Sequence, residues 1–307
     1  MNKKKIIVTG GAGFIGSHLV DYLISKKFYV IVIDTLSNGN KLPKEILKKI
    51  KLVKKDIREY SYIERYFKNV EYVFHFAANL GVEKVAKDHK LTMEIESIGM
   101  KNIVNASLKY NIKKIIYAST SGIYGKMAID KFVNEDFQVS PTSSYAIAKR
   151  FNEVYLQAIY KEYGLKSVSL RFFNVYGPRQ DQRMVIPRFF ESAKRNHNLK
   201  IFGDGSQTRD FTFIDDCIKA TFLLAKKSKG CEIVNISKGK DISIEIVAKK
   251  IIKLTNSKSK IKKLKYPPER LDFKVDKRRG DSSKLKKITG YLPTTKIDEG
   301  LKKIFNK

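Results

Sequence analysis

Tyr145 and Lys149 are the residues whose types and spacing most directly suggest chemistry, standing four positions apart in the run YAIAK. Positions i and i+4 share one face of a helix, so the lysine ammonium can lie beside the tyrosine phenol. A free tyrosine has a pKa of about 10, and a nearby positive charge favours its phenolate. The pair therefore predicts a tyrosine that acts as a general base near neutral pH. Because ordinary helix surfaces carry the same spacing, its meaning depends on the elements around it.

The first half of the chain alternates short β-branched runs with longer helical patterns. Strands are predicted at Lys5–Thr9, Tyr29–Ile33, Lys51–Lys55, Tyr72–Phe76, Lys114–Ala118 and Ser167–Phe172. Helices are predicted at Ile15–Lys26, Arg58–Phe67, Ile95–Tyr110 and Tyr145–Tyr163. Continuous apolar strands separated by helices indicate an α/β fold with a parallel sheet covered on both faces.

The pattern changes after Asn174, where turn signals become denser and the strands become shorter. Further helices are predicted near Pro187–Arg195, Asp215–Lys226 and Ile242–Leu254. A chain of 307 residues can hold one large domain or two smaller ones. We predict a first domain at residues 1–173, which carries the Tyr/Lys pair, and a smaller one at residues 174–307. The chain can cross between the two more than once.

A glycine-rich run, TGGAGFIG at Thr9–Gly16, joins the first predicted strand to the first helix. Gly10, Gly13 and Gly16 permit a tight turn and let a pyrophosphate approach the backbone. The phosphate then meets unpaired N–H groups and the positive end of the helix dipole. Asp34, at the end of the second strand, can accept hydrogen bonds from a ribose 2′-OH. Its charge would repel a 2′-phosphate, which favours NAD over NADP.

The net charge of +31 is the unusual feature of the composition, since the hydrophobic fraction of 42% is ordinary. A basic balance can indicate a nucleic-acid binder. Here the lysines are spread along the whole chain, without a basic arm, a zinc-finger spacing or an aromatic ribonucleoprotein motif. We interpret them as a solvated surface that can attract an anionic, phosphate-bearing ligand, and expect no nucleic-acid partner.

Cysteine and histidine usage indicates no metal site. Cys217 and Cys231 form neither a disulfide framework nor a ligand cluster, and none of the four histidines has a partner at ligand spacing. The apolar run after the basic start is too short for a signal peptide, and no stretch approaches the roughly 18 apolar residues that span a membrane. A cytoplasmic protein with no membrane partner is expected.

In their order, these motifs resemble the extended short-chain dehydrogenase/reductase family, in its nucleotide-sugar epimerase and dehydratase branch. The resemblance covers nearly the whole chain and implies a Rossmann-type doubly wound parallel sheet with a smaller C-terminal α/β substrate-binding region. Beyond the glycine run and the Tyr/Lys pair, it rests on Asp56-Ile57, His75–Ala78, Ala118–Gly125, Leu170–Arg179, Phe202–Gly205 and Thr208–Phe211.

The resemblance implies NAD as the cofactor and assigns its contacts residue by residue. They are Gly10, Gly13, Phe14, Ile15, Gly16, Asp34, Asn38, Asp56, Ile57, Phe76, Ala77, Ala78, Tyr145 and Lys149. Tyr145 would handle the proton of the sugar hydroxyl, and Lys149 would hold down the pKa of Tyr145 and bind the nicotinamide ribose. Thr120 would complete the catalytic group by hydrogen-bonding the reacting oxygen.

The same resemblance implies a nucleotide-sugar substrate. Its contacts would be Thr120, Ser121, Tyr145, Asn174, Arg209 and Arg270. Ser121 is the alternative to Thr120. Asn174 would bind the sugar nucleotide, Arg209 would bind its diphosphate as a bidentate donor, and Arg270 would add a second phosphate contact. Arg278 falls near the position that gates the N-acetyl group of the sugar in relatives, and would either contact a carboxylate or point to solvent.

The residues beside Thr120 favour one reaction of this branch. A 4,6-dehydratase would carry an Asp-Glu pair directly after the threonine, where Ser121 and Gly122 stand, and a glucuronate decarboxylase would carry Glu at position 122. Without these carboxylates we predict C4 epimerisation of a UDP-hexose through a transient 4-keto sugar. The substrate pair would be UDP-glucose and UDP-galactose, or the N-acetylated pair.

Several alternatives stay open. They are UDP-glucuronate 4-epimerisation, decarboxylation or reduction of a nucleotide sugar, and, in a different class, a non-catalytic protein that binds NAD or nucleic acid. In this family two protomers commonly pair through the Tyr/Lys helix and the helix before it, so the resemblance also implies a homodimer.

Overall fold

The order of strands and helices follows the sequence pattern closely. The computed structural model of the chain describes residues 3–79, 88–128, 130–265 and 277–306. The strands are β1 Lys5–Thr9, β2 Tyr29–Ile33, β3 Lys51–Val53, β4 Val70–His75, β5 Lys114–Thr120, β6 Phe132–Val133, β7 Ser167–Phe172, β8 Asn174–Tyr176, β9 Leu199–Phe202, β10 Thr208–Phe213, β11 Cys231–Ile236, β12 Asp241–Ser243, β13 Ile261–Leu264 and β14 Arg279–Gly280.

Helices cover most of the intervals between these strands. They are α1 Phe14–Ser25, α2 Lys44–Leu47, α3 Tyr60–Ile63, α4 His89–Lys109, α5 Ser144–Tyr163, α6 Val185–Lys194, α7 Ile214–Lys227, α8 Ile244–Leu254, α9 Ser283–Thr289 and α10 Ile297–Phe305. Short 3₁₀ turns lie at Glu64–Phe67, Ser121–Tyr124 and Lys126–Ala128.

Strands from both halves of the chain form a seven-stranded sheet in the order β11-β7-β5-β4-β1-β2-β3. The pairings of β1 with β2 and with β4 are parallel, and they place Thr9 beside Ile33 on one side and His75 on the other. Because the carboxyl ends of parallel strands meet at one edge, the segments after β1, β2 and β4 are neighbours. The predicted α/β class with a doubly wound parallel sheet is confirmed.

Burial explains why these strands have continuous apolar sequences. Ile6, Ile7 and Val8 of β1 are each at most 1% exposed, as expected for a strand with both faces covered. Helices α4 and α5 pack against each other beside the sheet. Gly99 allows α4 to approach the segment after β3, because a Cβ at this position would lie 2.4 Å from Cδ1 of Ile57.

The chain divides into two compact units, each made of three segments. The first unit comprises Met1–Ile123, Ser143–Arg171 and Ile218–Val234, and the second comprises Tyr124–Thr142, Phe172–Cys217 and Asn235–Lys307. The division predicted at residue 173 lies two residues after the crossing between Arg171 and Phe172, and the chain also crosses at four other points. The segment from α7 into β11 returns to the first unit because β11 joins the sheet next to β7.

The second unit contains smaller sheets, in the orders β12-β10-β8, β13-β9 and β14-β6. Strands β8 and β10 run parallel and place Asn174 opposite Phe211. Among the described residues, no helix is both long and apolar enough to cross a membrane. Across those same ranges, no three His, Cys, Asp or Glu side chains gather as a metal site would require.

Candidate functional site

The glycine turn after β1 is fixed by close backbone contacts. Gly10 has a φ of +68°, and a Cβ there would lie 2.5 Å from the nitrogen of Ala77 and 2.6 Å from the carbonyl carbon of Phe76. A Cβ on Gly16 would lie 2.1 Å from the carbonyl oxygen of Gly10. Position 10 therefore needs glycine both for its left-handed backbone and for its contact with the end of β4.

Helix α1 begins directly after this turn. Its N-cap is Gly13, which has no side chain, and its first turn holds no acidic residue. The first N–H groups of a helix lack intrahelical acceptors and carry the positive end of its dipole. This end of α1 thus fits the phosphates of a dinucleotide.

Asp34 is held beside the glycine turn by two backbone donors. Its Oδ2 accepts a hydrogen bond from the nitrogen of Ala12 at 2.9 Å, and its Oδ1 accepts one from the nitrogen of Leu36 at 2.8 Å. Burial raises the pKa of the carboxyl group, against the effect of the two hydrogen bonds. A carboxylate in this place suits the ribose hydroxyls of NAD, so the residues present fit the cofactor that the sequence predicts.

The remaining cofactor candidates follow the ends of β2, β3 and β4 in the first unit. Asn38 lies exposed in the turn after β2. Asp56 binds the guanidinium of Arg58 at 2.8 Å, and the carbonyl of buried Ile57 accepts a hydrogen bond from Nδ2 of Asn102 at 3.0 Å. Ala78 is half-buried directly after the Phe76–Ala77 contact. The structure thus brings together the glycine turn, Asp34 and the end of β4, and fixes Ile57 against α4.

Tyr145 and Lys149 lie on successive turns at the start of α5. The hydroxyl of Ser143 caps this helix by accepting a hydrogen bond from the nitrogen of Ala146 at 3.2 Å. The Nζ of Lys149 lies 5.5 Å from the centre of the Tyr145 ring, and Lys149 is only 1% exposed. The ammonium is therefore held beside a half-buried phenol.

Glu96 of α4 is a residue that the sequence argument missed. Its Oε1 lies 2.8 Å from Nζ of Lys149, and its side chain is fully buried. Its Oε2 accepts hydrogen bonds from the hydroxyl of Tyr117 at 2.9 Å and from Nδ2 of Asn152 at 3.2 Å. The Lys149 ammonium thus has a buried carboxylate as its partner.

The electrostatics of Tyr145 differ from the expectation drawn from Lys149 alone. Burial first, and then the negative charge of Glu96, raise the pKa of Tyr145 above its usual value. The net lowering of this pKa that Lys149 predicted is therefore not found, because burial and the Glu96 carboxylate outweigh any effect of the lysine. His75 stacks near Tyr117 with ring centres 5.7 Å apart, and burial, assisted by the Lys149 charge, lowers the pKa of His75 to about 3.

Thr120 is the last residue of β5. Its Oγ1 accepts a hydrogen bond from the nitrogen of Gly122 at 3.1 Å. A hydroxyl can accept and donate at once, so the Thr120 hydrogen can still be donated to a sugar oxygen. Ser121 begins the 3₁₀ turn that follows.

A buried ion pair ties this strand end to α5. Ser119 donates a hydrogen bond from its hydroxyl to Oε1 of Glu153 at 2.7 Å, one helical turn after Lys149. The guanidinium of Arg171, on β7, binds both oxygens of Glu153 at 3.0 and 2.9 Å. Arg150 adds a contact of 3.0 Å from the partly exposed side. The position of Thr120 is thereby coupled to the helix that carries Tyr145.

The second unit positions the predicted substrate residues on neighbouring strands. Asn174, on β8, donates a hydrogen bond from Nδ2 to the carbonyl of Asp210 at 3.4 Å. Arg209, on β10, donates one from its guanidinium to the carbonyl of Thr208 at 2.8 Å. These two residues therefore lie near each other, whereas Arg270 lies outside the described residues.

Asp210 was also missed from the sequence, and it binds two backbone segments. It accepts hydrogen bonds from the nitrogens of Lys238, Gly239 and Gly280 at 2.9, 3.0 and 3.1 Å. Burial raises the pKa of this carboxyl group to about 6, although the three donors favour its ionised form. The residue after Arg209 thereby fixes the segment that contains Arg278.

Arg278 is buried, so the expectation that it could point to solvent is wrong. It is 8% exposed, and its guanidinium donates a hydrogen bond to the carbonyl of Gly125 at 2.9 Å. Burial first, and then the positive charge of Arg209, lower the pKa of Arg278 to about 10. Two arginine charges therefore influence each other within the second unit.

The signal that could have revealed Glu96 is its place in the helical period. Glu96, Met100, Ile103 and Ser107 are all fully buried and lie three or four residues apart on one face of α4. An acidic residue on a core-facing stripe requires a buried partner. Asp210 gave no comparable signal, because its three donors come from segments distant in the sequence.

Comparison with known proteins agrees with this geometry. Residues 6–237 match the family described as NAD dependent epimerase/dehydratase. A putative UDP-glucose 4-epimerase of Methanocaldococcus jannaschii is 41% identical over 244 residues, which cover 78% of this chain and 78% of that protein. The UDP-N-acetyl-alpha-D-glucosaminuronate decarboxylase of Bacillus cytotoxicus is 35% identical over 98% of this chain and 96% of its own.

A solved structure extends the likeness to three dimensions. The crystal structure of the UDP-glucose 4-epimerase of Thermotoga maritima with UDP-glucose has a TM-score of 0.91 at 35% identity, over 98% of this chain and 97% of that one. The chain belongs to the NAD-dependent epimerase/dehydratase family, as its ordered motifs predicted, and NAD is the cofactor of that family.

Proposed function

We propose that the protein is a UDP-sugar 4-epimerase that acts on UDP-glucose and UDP-galactose or on their N-acetylated counterparts. The observation that carries this proposal is the set of residues beside Thr120. The hydroxyl of Thr120 is available, while Ser121 and Gly122 supply no carboxylate. A Cβ on Gly122 would lie 3.3 Å from Oγ1 of Thr120, so a side chain at this position would adjoin the threonine. Elimination and decarboxylation lack their acid/base group there.

The mechanism assigns a separate task to each residue of the first unit. Tyr145 removes the proton from the sugar C4 hydroxyl and later returns it, and Thr120 donates a hydrogen bond to the same oxygen. Lys149 binds the nicotinamide ribose through its ammonium. Bound NAD⁺ would supply the acceptor for the C4 hydride and, as NADH, its donor to the ketone. The protein binds, orients and shields the 4-keto sugar until that return.

Asn174 and Arg209 are proposed to bind the nucleotide part of the substrate. Arg209 offers a planar guanidinium for the diphosphate, which suits bidentate contact. We propose Arg270 as a further phosphate contact on the basis of the sequence alone. In the first unit, Ser121 is proposed to contact the sugar beside Thr120.

A second candidate reaction follows from Arg278 and from one of the relatives. Arg278 carries a buried guanidinium, and the Bacillus cytotoxicus relative is a decarboxylase of a UDP-linked uronate. A uronate carboxylate is a suitable partner for such a group. The chain would then epimerise a UDP-uronate or, with an acid/base group other than residues 121 and 122, decarboxylate it.

A proton-NMR screen of UDP-sugars with the NAD-loaded protein tests both candidates. We expect the 4-epimer of a UDP-hexose or UDP-N-acetylhexosamine to form without net NADH, and Tyr145→Phe to abolish its formation. Formation of a pentose product with release of carbon dioxide would support decarboxylation instead. If no UDP-hexose, N-acetylhexosamine or uronate gave a 4-epimer, the epimerase proposal would be wrong.

We also propose that the protein is a homodimer that pairs through α4 and α5. Ile147, Phe151 and Val154 follow a helical spacing on α5 and are 46–49% exposed, and Ile98 on α4 is 42% exposed. A stripe of this kind is typical of a surface that packs against another chain. Light scattering should give twice the 35.3 kDa protomer mass.

A charged substitution in the stripe tests its role in pairing. Phe151→Lys should yield monomers at micromolar concentration. Ile246→Lys, at an equally exposed position on α8 (47%), should leave the dimer intact. A dimer that survives Phe151→Lys would contradict this interface.

A further inference from the structure

Glu96 is a buried acid that the proposed reaction does not use directly. Its side chain has no exposed surface, so it cannot touch a substrate. Transferring a carboxylate out of water is unfavourable by several kcal/mol unless a charge and hydrogen bonds compensate. The residues that compensate Glu96 include Lys149 of the proposed catalytic group.

Two elements converge on this carboxylate of α4. Helix α5 supplies the Lys149 ammonium to Oε1 at 2.8 Å and the Asn152 amide to Oε2 at 3.2 Å, and β5 supplies the Tyr117 hydroxyl to Oε2 at 2.9 Å. The Asn152 amide also donates to the Tyr117 oxygen at 2.9 Å. The Lys149 ammonium lies 4.7 Å from the centre of the Tyr117 ring and 5.5 Å from that of Tyr145. Glu96 thus fixes where the lysine charge stands relative to the phenol.

We propose that Glu96 is a positioning residue, whose carboxylate anchors the Lys149 ammonium and offsets its charge beside Tyr145. The proposal rests on the proposed function only in taking Tyr145 as the proton-transfer group. Its consequence is that Tyr145 is a weaker acid than it would be beside an unopposed lysine. The pH range of proton transfer therefore depends on a residue that never meets the substrate.

The other titratable groups at this place leave Tyr145 as the one expected to respond. His75, from β4, stays neutral at neutral pH because its pKa is lowered to about 3. Tyr117, from β5, also stays neutral because burial holds its pKa well above the usual value. Glu96 from α4 and Lys149 from α5 form an ion pair at 2.8 Å, so each charge opposes the effect of the other on the phenol. Removing the charge of Glu96 leaves Lys149 unopposed.

Glu96→Gln tests this proposal with little change of shape. A glutamine can accept from Lys149 through its oxygen and donate to the Tyr117 oxygen through its amide, while Tyr117 and Asn152 lose the acceptor at Oε2 but keep the hydrogen bond between them. The NAD-loaded full-length protein is labelled with ¹³C at the ζ carbon of tyrosine, and Tyr145→Phe assigns the resonance. We expect the titration midpoint of Tyr145 to fall by roughly 1–3 pH units in Glu96→Gln. The acid limb of any turnover profile should move in the same direction.

Glu64→Gln is the matched control. Glu64 pairs with Lys109 at 2.7 Å. Lys109 lies about 20 Å from Glu96 along α4, so the same loss of charge should leave the titration midpoint of Tyr145 unchanged. Glu96→Asp keeps the charge and should hold the midpoint closer to wild type, which covers the case that Glu96→Gln does not fold. An unchanged midpoint in folded Glu96→Gln, with only a lower Tm, would overturn the proposal. Because the titration needs no turnover, this result is separate from a failure of the epimerase proposal.

Discussion

Glu153→Ala should be one of the most damaging single substitutions in the first unit. The carboxylate is fully buried, and it compensates Arg171, whose side chain is 2% exposed. Removing one partner of a buried ion pair strands the other charge, which lowers the free energy of unfolding by about 3–5 kcal/mol. The lost hydrogen bond from the Ser119 hydroxyl adds about 1 kcal/mol. Arg150 adds little because its side chain is 31% exposed and can turn to water.

A double substitution separates the cost of the stranded charge from a simple loss of packing. Replacing Glu153 and Arg171 together by methionine removes both charges and restores much of the volume, so most of the lost stability should return. Glu191→Ala breaks an exposed pair with Arg195 and should change stability by less than about 1 kcal/mol.

Urea unfolding followed by far-UV circular dichroism suits this comparison, since the chain contains no tryptophan. If Glu153→Ala lowered the free energy of unfolding by less than about 1 kcal/mol, the buried ion pair would not be a major source of stability in the first unit. A double methionine variant no more stable than Glu153→Ala would show that the stranded Arg171 charge is not the cause of the loss.

Three further predictions concern the glycine turn, cofactor choice and pH. Gly10→Ala should abolish NAD binding, measured by calorimetry, because the new Cβ would lie 2.5 Å from the nitrogen of Ala77 at a φ of +68°; wild-type affinity would contradict the packing argument. Asp34→Ser should narrow the preference for NAD over NADP by at least about tenfold in the ratio of Kd values, because it removes the charge that repels a 2′-phosphate; an unchanged ratio would exclude Asp34 as the discriminating group. The pKa of Asp210 is raised from 3.8 to about 6 in the folded chain. The stabilisation that comes from binding this proton is therefore complete below about pH 4 and is lost as the pH rises through 6. Relative to Asp210→Asn, the wild type should lose up to about 3 kcal/mol of unfolding free energy between pH 4 and pH 6. If the difference in unfolding free energy between the two proteins did not change with pH, this electrostatic explanation would be refuted.

The elements that the sequence predicted best are those with strong local patterns. Strands β1, β2 and β7 have the predicted bounds, and α1 and α5 begin and end within one residue of the prediction. Helix α4 begins at His89, six residues before its predicted start, because Asp88 caps a polar first turn by accepting from the nitrogen of Leu91 at 2.8 Å. The helix predicted at Arg58–Phe67 is instead a single α-helical turn followed by a 3₁₀ turn. Caps and tight turns depend on specific contacts that apolar periodicity does not record.

The division of the chain into two units could not be predicted in full from local sequence patterns. The return of β11 to the edge of the sheet beside β7 is a pairing between segments about 60 residues apart. No local composition marks such a pairing, and a single boundary at residue 173 could not represent it.

The sequence by itself determined the glycine turn, the Asp34 carboxylate and the Tyr145/Lys149 spacing. The turn and the Tyr/Lys pair depend on residues close together in the chain, and Asp34 lies at the end of a strand that the apolar pattern predicts. Only the tertiary structure decided the charge balance at Tyr145. Glu96 lies 53 positions before Lys149, yet its carboxylate is 2.8 Å from the lysine ammonium. The sequence supplies a lysine that should make the tyrosine a stronger acid, and the fold supplies the buried acid that opposes it. Charge interactions act through space, so their sum follows from the fold and not from the spacing of two residues on one helix.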